Sequence, residues 1–193
     1  MILKYSQEVL ELVHNKKWLD AANLLRLEWL SHRSDLDAIL RYGCALWYLL
    51  TYDYTYVELS KDRMTTQFLH LALEGDLSSV AEAGFLNYKN DLRFQAVFGW
   101  MILIKPFYFF TIGIGNEYDN VKKIGMQMIR SAYDTAPHDP FYQAVYYATT
   151  EDCAAYRLAR DQVASMWETY FEDDGFVGSY FLAVFSSVFD SQQ

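Results

Sequence analysis

Proline, glycine and cysteine are scarce in this sequence, and each scarcity excludes a class of protein. Only 3 Pro and 9 Gly occur among 193 residues, so a chain dominated by loops or disorder is excluded. The 2 cysteines, Cys44 and Cys153, lie far apart and form no CxxC pair, which excludes a disulfide scaffold of the secreted type. We expect both thiols to be buried and reduced, as is usual in the cytosol.

Basic residues are also in the minority. The chain carries 16 Lys and Arg against 25 Asp and Glu, which gives a formal net charge of −9. Nucleic-acid binders need basic surface to displace counterions from phosphate, so nucleic acid is not an expected partner. An acidic surface suits a basic protein partner, although acidity also keeps a protein in solution without any partner.

One long apolar run needs a membrane check. Residues 96–115 (AVFGWMILIKPFYFFTIGIG) are long enough to span a bilayer, but Lys105 and Pro106 lie in the middle. Pro106 would break a helix there, and a lone Lys at bilayer depth costs about 2.5–3.5 kcal/mol. We therefore predict a buried helix end, a proline turn and a second buried segment. The first residues, MILKYSQEVLELV, are spaced like a helix and not like a signal peptide, so we expect a cytoplasmic protein with no membrane partner.

Apolar residues recur at spacings of three and four along most of the chain, which predicts about ten helices and no convincing strand. In one of these helices a single face collects Trp18, Ala21, Ala22, Leu25 and Trp29. No low-complexity linker divides the sequence. We therefore predict one all-α domain over residues 1–193, in which residues 151–171 form one long helix.

Local signals predict where two of the helices begin. Asp139 followed by Pro140 is a strong start signal, because Asp caps a helix and Pro suits its first turn. Asn90 or Asp91 is expected to cap the helix that follows it. Both signals depend only on residues next to the predicted helix start.

Further boundaries are predicted in the first half of the chain. Ser34 with Asp37 resembles a capping box at the start of a helix. Gly75 is expected to end a later helix, and a shorter helix is expected to begin near Asp76 or Ser78. The side chains predicted to face inward from the helix before Gly75 are Met64, Phe68, Leu71 and Ala72.

The sequence almost repeats itself. Residues 91–100 (DLRFQAVFGW) and 139–148 (DPFYQAVYYA) share Asp, Gln, Ala and Val at the same places, and a fainter copy begins at Asp35. The copies recur about every fifty residues, with about two helices in each interval, which is typical of stacked helical hairpins. Phe94 and Phe98 lie four apart, so we expect them to share one helix face.

Two positions of the repeat raise a question of role. Gly99 would let a neighbouring helix approach closely, whereas Tyr147 holds the equivalent position in the second copy. We interpret Gln95 and Gln143 as exposed helix formers beside the apolar stripe. The alternative is that each amide bonds a backbone carbonyl of the neighbouring hairpin.

Three short patterns resemble the tetratricopeptide repeat (TPR) family. The small, bulky, small and proline positions of its second helix are matched by Gly125, Ile129, Ala132 and Pro137. Its first-helix pattern is matched by Ile39, Tyr42, Gly43 and Leu46, and its aromatic-to-alanine spacing by Trp18 and Ala21. The period of about fifty residues exceeds the family's period of about 34. The resemblance therefore implies TPR-like stacked antiparallel hairpins of irregular period, and an irregular helical bundle is the alternative.

No catalytic motif appears in the sequence. No histidine is spaced from another as metal ligands are in zinc motifs. The four histidines are His14, His32, His70 and His138. His70 and Glu74 share a helix face and are expected to form an exposed pair. The sequence GIGNEY (113–118) does not continue as GxGxxG, and EDDG (172–175) lacks the alternating ligands of a calcium loop. We therefore predict no enzyme, no catalytic residue, no metal site and no cofactor.

Surface character carries the functional hypothesis. The chain has 16 tyrosines, and rigid aromatics with a polar tip concentrate binding energy at interfaces. The predicted partner-binding residues are Tyr52, Asp53, Tyr54, Tyr56, Glu58, Glu172, Asp173 and Asp174. The most concrete hypothesis is that the chain is an immunity-type inhibitor, similar to a bacterial toxin-immunity protein. Such an inhibitor binds and neutralises a cognate basic toxin domain. The alternatives are a TPR-like adaptor or chaperone that binds a peptide segment, and a helical enzyme whose site has no recognisable motif.

Overall fold

A computed structural model describes residues 4–51, 63–112 and 117–171, together with positions 176, 178, 181 and 185. Every regular element in these ranges is helical, so the all-α class is confirmed there. The elements are α1 (Gln7–His14), α2 (Trp18–Ser31), α3 (Leu36–Thr51), α4 (Arg63–Tyr88), α5 (Leu92–Ile104), a 3-10 helix (Pro106–Ile112), α6 (Tyr118–Thr135), α7 (Pro140–Tyr147), α8 (Cys153–Ser165) and the single turn α9 (Trp167–Tyr170). The number of ten helices and their stacking as a solenoid stay predictions.

Two helix starts form as their local signals predict. The Asp91 carboxylate accepts a hydrogen bond from the backbone N–H of Phe94 at 3.2 Å, before the first turn of α5. The Asp139 carboxylate accepts from the N–H of Phe141 at 2.9 Å, and Pro140 occupies the first position of α7. Each carboxylate satisfies a donor that the first helical turn leaves without a backbone partner.

The predicted cap at Ser34 is wrong by one residue. The carboxylate of Asp35 accepts from the backbone N–H of Asp37 at 3.1 Å, so Asp35 caps α3. The backbone carbonyl of Ser34 instead accepts a hydrogen bond from the hydroxyl of Tyr88, at the end of α4. Asp35 directly precedes the helix and can reach the second N–H, which leaves Ser34 to tie the turn to α4.

Gln95 and Gln143 each form a hydrogen bond with the turn that precedes their own helix. The amide of Gln95 donates to the carbonyl of Lys89 at 2.9 Å, and the amide of Gln143 donates to the carbonyl of Pro137 at 2.7 Å. Both bonds reach back six residues. Gln95 is only 7% exposed, so its interpretation as an exposed helix former is wrong. The carbonyl belongs to the turn before the same helix and not to a neighbouring hairpin.

Helix α4 differs most from prediction. Gly75 lies inside it, and the helix continues for 26 residues from Arg63 to Tyr88. The separate helix that was expected near Asp76 or Ser78 does not exist. Glycine in a helix interior costs about 1 kcal/mol relative to alanine, and burial of an apolar face outweighs that cost. The buried side chains of this face are Leu73, Leu77, Val80 and Ala81.

The predicted inward face of α4 is also wrong. Phe68 and Leu71 are 67% and 63% exposed, and Ala72 is exposed. The side chain of Met64 lies outside the described residues. The buried face of α4 differs from the predicted face because it is determined by the apolar residues that follow Gly75, which are Leu77, Val80 and Ala81.

The apolar run at residues 96–115 divides as expected at its centre. Helix α5 ends at Ile104, Lys105 is exposed, and Pro106 opens the 3-10 helix. Across the described ranges, no helix is both long and apolar enough to cross a bilayer.

The long helix predicted over residues 151–171 is interrupted. Helix α8 ends at Ser165, because the N–H of Met166 turns back to the carbonyl of Val163 at 3.1 Å. A single further turn, α9, follows before Phe171. This prediction is therefore wrong in its continuity but right in its helical character.

Helix α5 forms the centre of the core, and two of its rings fill the space above glycines. The ring of Phe94 lies against Gly84 of α4, where an added Cβ would be 2.0 Å from Phe94 Cε2. The ring of Phe98 lies against Gly43 of α3, where an added Cβ would be 2.7 Å from Phe98 Cζ. The two rings also stack on each other with centroids 4.7 Å apart. The predicted shared face is confirmed, and each ring requires a glycine opposite it.

A glycine pair sets the distance between α5 and α6. A Cβ on Gly125 would lie 2.7 Å from the carbonyl oxygen of Gly99 and 2.8 Å from the backbone nitrogen of Leu103. Both are backbone atoms and cannot rotate away. The predicted close approach at Gly99 is confirmed.

These contacts predict opposite effects of one substitution at two helix glycines. Gly125→Ala should lower the free energy of unfolding by about 1–3 kcal/mol, because the overpacked methyl group meets backbone. Gly75→Ala should raise it by about 0.5–1 kcal/mol, since a Cβ built there has no neighbour within 4 Å in the part of the chain that the structure describes. Urea unfolding followed by far-UV circular dichroism measures both. Shifts of the same sign would contradict the packing described here.

Candidate functional site

The partner-binding residues predicted from sequence lie outside the described ranges. This applies to all eight of them: Tyr52, Asp53, Tyr54, Tyr56, Glu58, Glu172, Asp173 and Asp174. The structure brings none of them together, and their role stays a prediction. The described surface offers two other features, one on α6 and α7 and one on α4.

Three tyrosines cluster where α6 and α7 end, and we call them the tyrosine patch: Tyr133, Tyr146 and Tyr147. The rings of Tyr133 and Tyr146 are stacked, with centroids 4.3 Å apart and planes 5° apart. The hydroxyl groups of Tyr133 and Tyr147 share a hydrogen bond of 3.0 Å. All three side chains are half-buried, so each ring has a packed side and a side open to a partner.

Acidic residues lie near the tyrosine patch in the sequence. Asp134, Glu151 and Asp152 are exposed, and Asp134 forms an exposed ion pair with Arg130 at 3.5 Å. The hydrogen bond to Tyr133 raises the pKa of Tyr147, with further contributions from partial burial and from the charge of Asp152. Tyr147 therefore presents a neutral hydroxyl group at neutral pH.

The sequence carried one signal of this patch. Tyr147 replaces Gly99 in the second copy of the repeat. In the first copy Gly99 lets the backbone of α6 approach α5, whereas in the second copy the side chain of Tyr147 contacts Tyr133 across the α6–α7 hairpin. The difference is visible in the sequence, but the contact with Tyr133 depends on how the hairpin folds back.

The second feature is a groove of about 420 Å³ between α4 and the 3-10 helix, which we call the α4 groove. The residues that line it are Leu71, Glu74, Gly75, Ser78, Ser79, Glu82, Phe107 and Tyr108. Among these described residues are two carboxylates and no basic side chain. Ser78 donates to the backbone carbonyl of Tyr108 at 3.1 Å, which holds the two walls together.

The pair of His70 and Glu74 forms at the edge of this groove. The Nδ1 atom of His70 lies 2.9 Å from a carboxylate oxygen of Glu74, and both side chains are about one third exposed. The prediction of a shared face is confirmed. Within the part of the chain that the structure describes, no three His, Cys, Asp or Glu side chains converge as metal ligands.

A polar cluster closes the opposite side of α4. The hydroxyl of Tyr42 donates to Asp76 at 2.5 Å, and the Nε of Arg26 donates to the same carboxylate oxygen at 2.8 Å. Burial raises the pKa of Tyr42, and the carboxylate of Asp76 raises it further. A second depression of about 570 Å³ lies over this cluster and is also lined by Gly75 and Ser79. The cluster ties α2, α3 and α4 together.

Other titratable groups in the core are held in their neutral forms by burial. Burial raises the pKa of the Cys44 thiol, which makes it a poor nucleophile. Burial and the charge of Asp139 raise the pKa values of Tyr142 and Tyr170, each to about 12. These side chains are packed in the core in their neutral forms.

Comparison with protein-family models, with curated proteins and with solved structures finds no match. The resemblance to TPR hairpins therefore depends only on the residues that suggested it. The function has to be inferred from the two surfaces described above.

The Tyr42 cluster predicts a stability loss that depends on pH. Tyr42→Phe removes a hydrogen bond to a charged group and should lower the free energy of unfolding by about 1.5–3 kcal/mol at neutral pH. Tyrosine in the unfolded chain ionises near pH 10, and the folded-state pKa of Tyr42 is higher. The contribution of Tyr42 is therefore complete below about pH 10 and is lost as pH rises towards the folded-state value. Denaturant unfolding at neutral and alkaline pH should show the difference between the two proteins shrinking above about pH 10; a constant difference would contradict this role.

Proposed function

We propose that this chain is a non-enzymatic protein-binding protein, and most concretely an immunity-type inhibitor that binds and neutralises a cognate basic toxin domain. The observation that carries the proposal is the tyrosine patch with the carboxylates that lie near it in the sequence. Tyrosine supplies a large and rigid contact area with a polar tip, at a low cost in conformational entropy. The combination of aromatic rings and acid is the surface that a basic protein partner requires.

The charge of the chain supports the same partner. A net charge of −9 would steer a basic domain towards the protein and raise its association rate. Asp134, Glu151 and Asp152 place part of this charge near the patch in the sequence. Binding energy would come from the rings, and partner choice from the carboxylates.

The alternative is a TPR-like adaptor or chaperone that binds a peptide segment. Such a protein would present a concave inner face that is partly basic or rich in asparagine. The α4 groove instead carries Glu74 and Glu82 and no basic residue among its described lining. This difference favours the inhibitor, and we retain stacked TPR-like hairpins and a cytoplasmic location as parts of the proposal.

A pull-down of the tagged chain from its source cell tests the proposal. The bound material should be washed at two salt concentrations and identified by mass spectrometry. One small basic protein, recovered in stoichiometric amount and released only partly by salt, is the expected result. Many partners that share a tail motif would favour the adaptor, and recovery of no partner would contradict both functions. A toxin-like reading frame directly upstream would add independent support.

Within such a complex, Tyr147→Ala should weaken binding strongly. Loss of a central aromatic contact typically costs about 2 kcal/mol or more, which is about thirtyfold in affinity. Isothermal titration calorimetry with the recovered partner measures the change. The matched control is Tyr118→Ala, on α6 but outside the patch, where the side chain is 50% exposed. Equal affinities for the two variants would exclude the patch as the binding surface, and their melting temperatures check that both are folded.

A further inference from the structure

Helix α4 presents an apolar face that nothing in the described structure covers. Phe68, Leu71 and Leu86 are 67%, 63% and 78% exposed. Single exposed apolar residues are ordinary, but this face follows a regular pattern. The exposed positions Phe68, Ala72, Gly75, Ser79, Glu82 and Leu86 alternate spacings of four and three. This is the spacing by which one helix packs along another.

The fold does not account for Gly75 at the centre of this face. Gly43, Gly84 and Gly125 each face an atom of another helix closer than 3 Å to where a Cβ would lie. Gly75 faces no atom of the described residues within 4 Å, although glycine weakens a helix interior. A glycine that costs stability without serving internal packing indicates that something external approaches the backbone there.

The surface on either side of Gly75 has the shape to receive a helix. The α4 groove has a volume of about 420 Å³ and the second depression about 570 Å³, and Gly75 and Ser79 line both. The small residues thus form a low ridge between two grooves. Helices pack by placing the side-chain ridges of one into the grooves of the other, so a crossing helix could seat apolar side chains on both sides of the ridge.

The charges around this surface select the occupant. Glu74 and Glu82 line the α4 groove, and Arg26 in the second depression is already paired with Asp76 at 2.8 Å. At the edge of the groove, Nδ1 of His70 lies 2.9 Å from the carboxylate of Glu74. The described lining itself still holds three carboxylates, those of Glu74, Asp76 and Glu82, against one guanidinium. A second copy of the chain would bring a further net charge of −9, which disfavours self-association.

We propose that α4 docks an amphipathic helix of a partner protein, whose apolar stripe crosses Gly75 and whose Lys or Arg residues face Glu74 and Glu82. The contact is of the helix-in-groove type, in which apolar anchors lie on one face of the bound helix. This inference rests on the protein-binding part of the proposed function and not on inhibition of a toxin.

A phage-displayed peptide library tests the proposal even though the natural partner is unidentified. The peptides span about three heptads, with Leu, Ile or Ala varied at apolar positions and Lys, Glu or Gln at polar positions. Selection is made on the wild-type protein, with counter-selection on Gly75→Leu. We expect basic peptides to be enriched, to bind wild type at least about tenfold more tightly than Gly75→Leu, and to protect α4 amides from hydrogen exchange.

Matched variants separate this surface from the others. Leu71→Glu should place a charge in the contact and weaken peptide binding, whereas Leu158→Glu, at an equally exposed leucine of α8, should leave it unchanged. Tyr147→Ala should also leave it unchanged, so failure of the proposed toxin partner and failure of this groove are distinguishable. Circular dichroism and the melting temperature of each variant verify its folding.

Three results would overturn the proposal. One is the absence of any peptide enriched over the Gly75→Leu counter-selection. Another is enrichment of acidic peptides, which would contradict the selection by charge. The third is concentration-dependent self-association of the wild type that Gly75→Leu abolishes, because the occupant would then be a second copy of the chain.

Discussion

The fit of aromatic rings into the space above glycines is the constraint on which the rest of the structure depends. Phe94 and Phe98 project from α5, and each needs the absence of a side chain on the facing helix, at Gly84 and Gly43. Protein interiors are packed densely enough that neither ring has another place to go. The positions of α3 and α4 around α5 therefore follow from the two rings.

The same central helix fixes both candidate surfaces. Gly99 and Gly125 bring α6 against α5, and the far end of α6 carries Tyr133 of the tyrosine patch. Helix α4 packs on α5 where Gly84 faces the ring of Phe94. The hydrogen bond from Tyr42 to Asp76 holds α4 near its middle. The exposed face of α4 is thus presented by a helix that is held at two points, which lowers the ordering cost of binding. Surfaces that bind well are usually built on elements of this kind.

Helix boundaries follow from the sequence where the signal is local and depart from it where packing overrides that signal. The sequence predicts a cap at Asn90 or Asp91 and another at Asp139, because a cap involves only the next three residues; the structure has Asp91 and Asp139. Gly75 was predicted to end a helix by an equally local rule, but the apolar row that follows it carries the helix onward. The bonds of Gln95 and Gln143 to carbonyls six residues earlier depend on the shape of the preceding turn, which no periodicity records.

The candidate site was harder to predict than the fold, and the repeat explains why. The predicted site at residues 52–56 lies outside the described residues and stays a prediction, whereas the described patch joins Tyr133 to Tyr146 and Tyr147 across a hairpin. The positions that two copies of a motif share are those that build each helix and its turn. Among the positions at which they differ, Gly99 allows the backbones of two helices to approach closely, whereas Tyr147 contacts Tyr133 and stays half-buried. Shared residues of an internal repeat therefore inform on architecture, and its divergent residues show where the surfaces of the two copies differ.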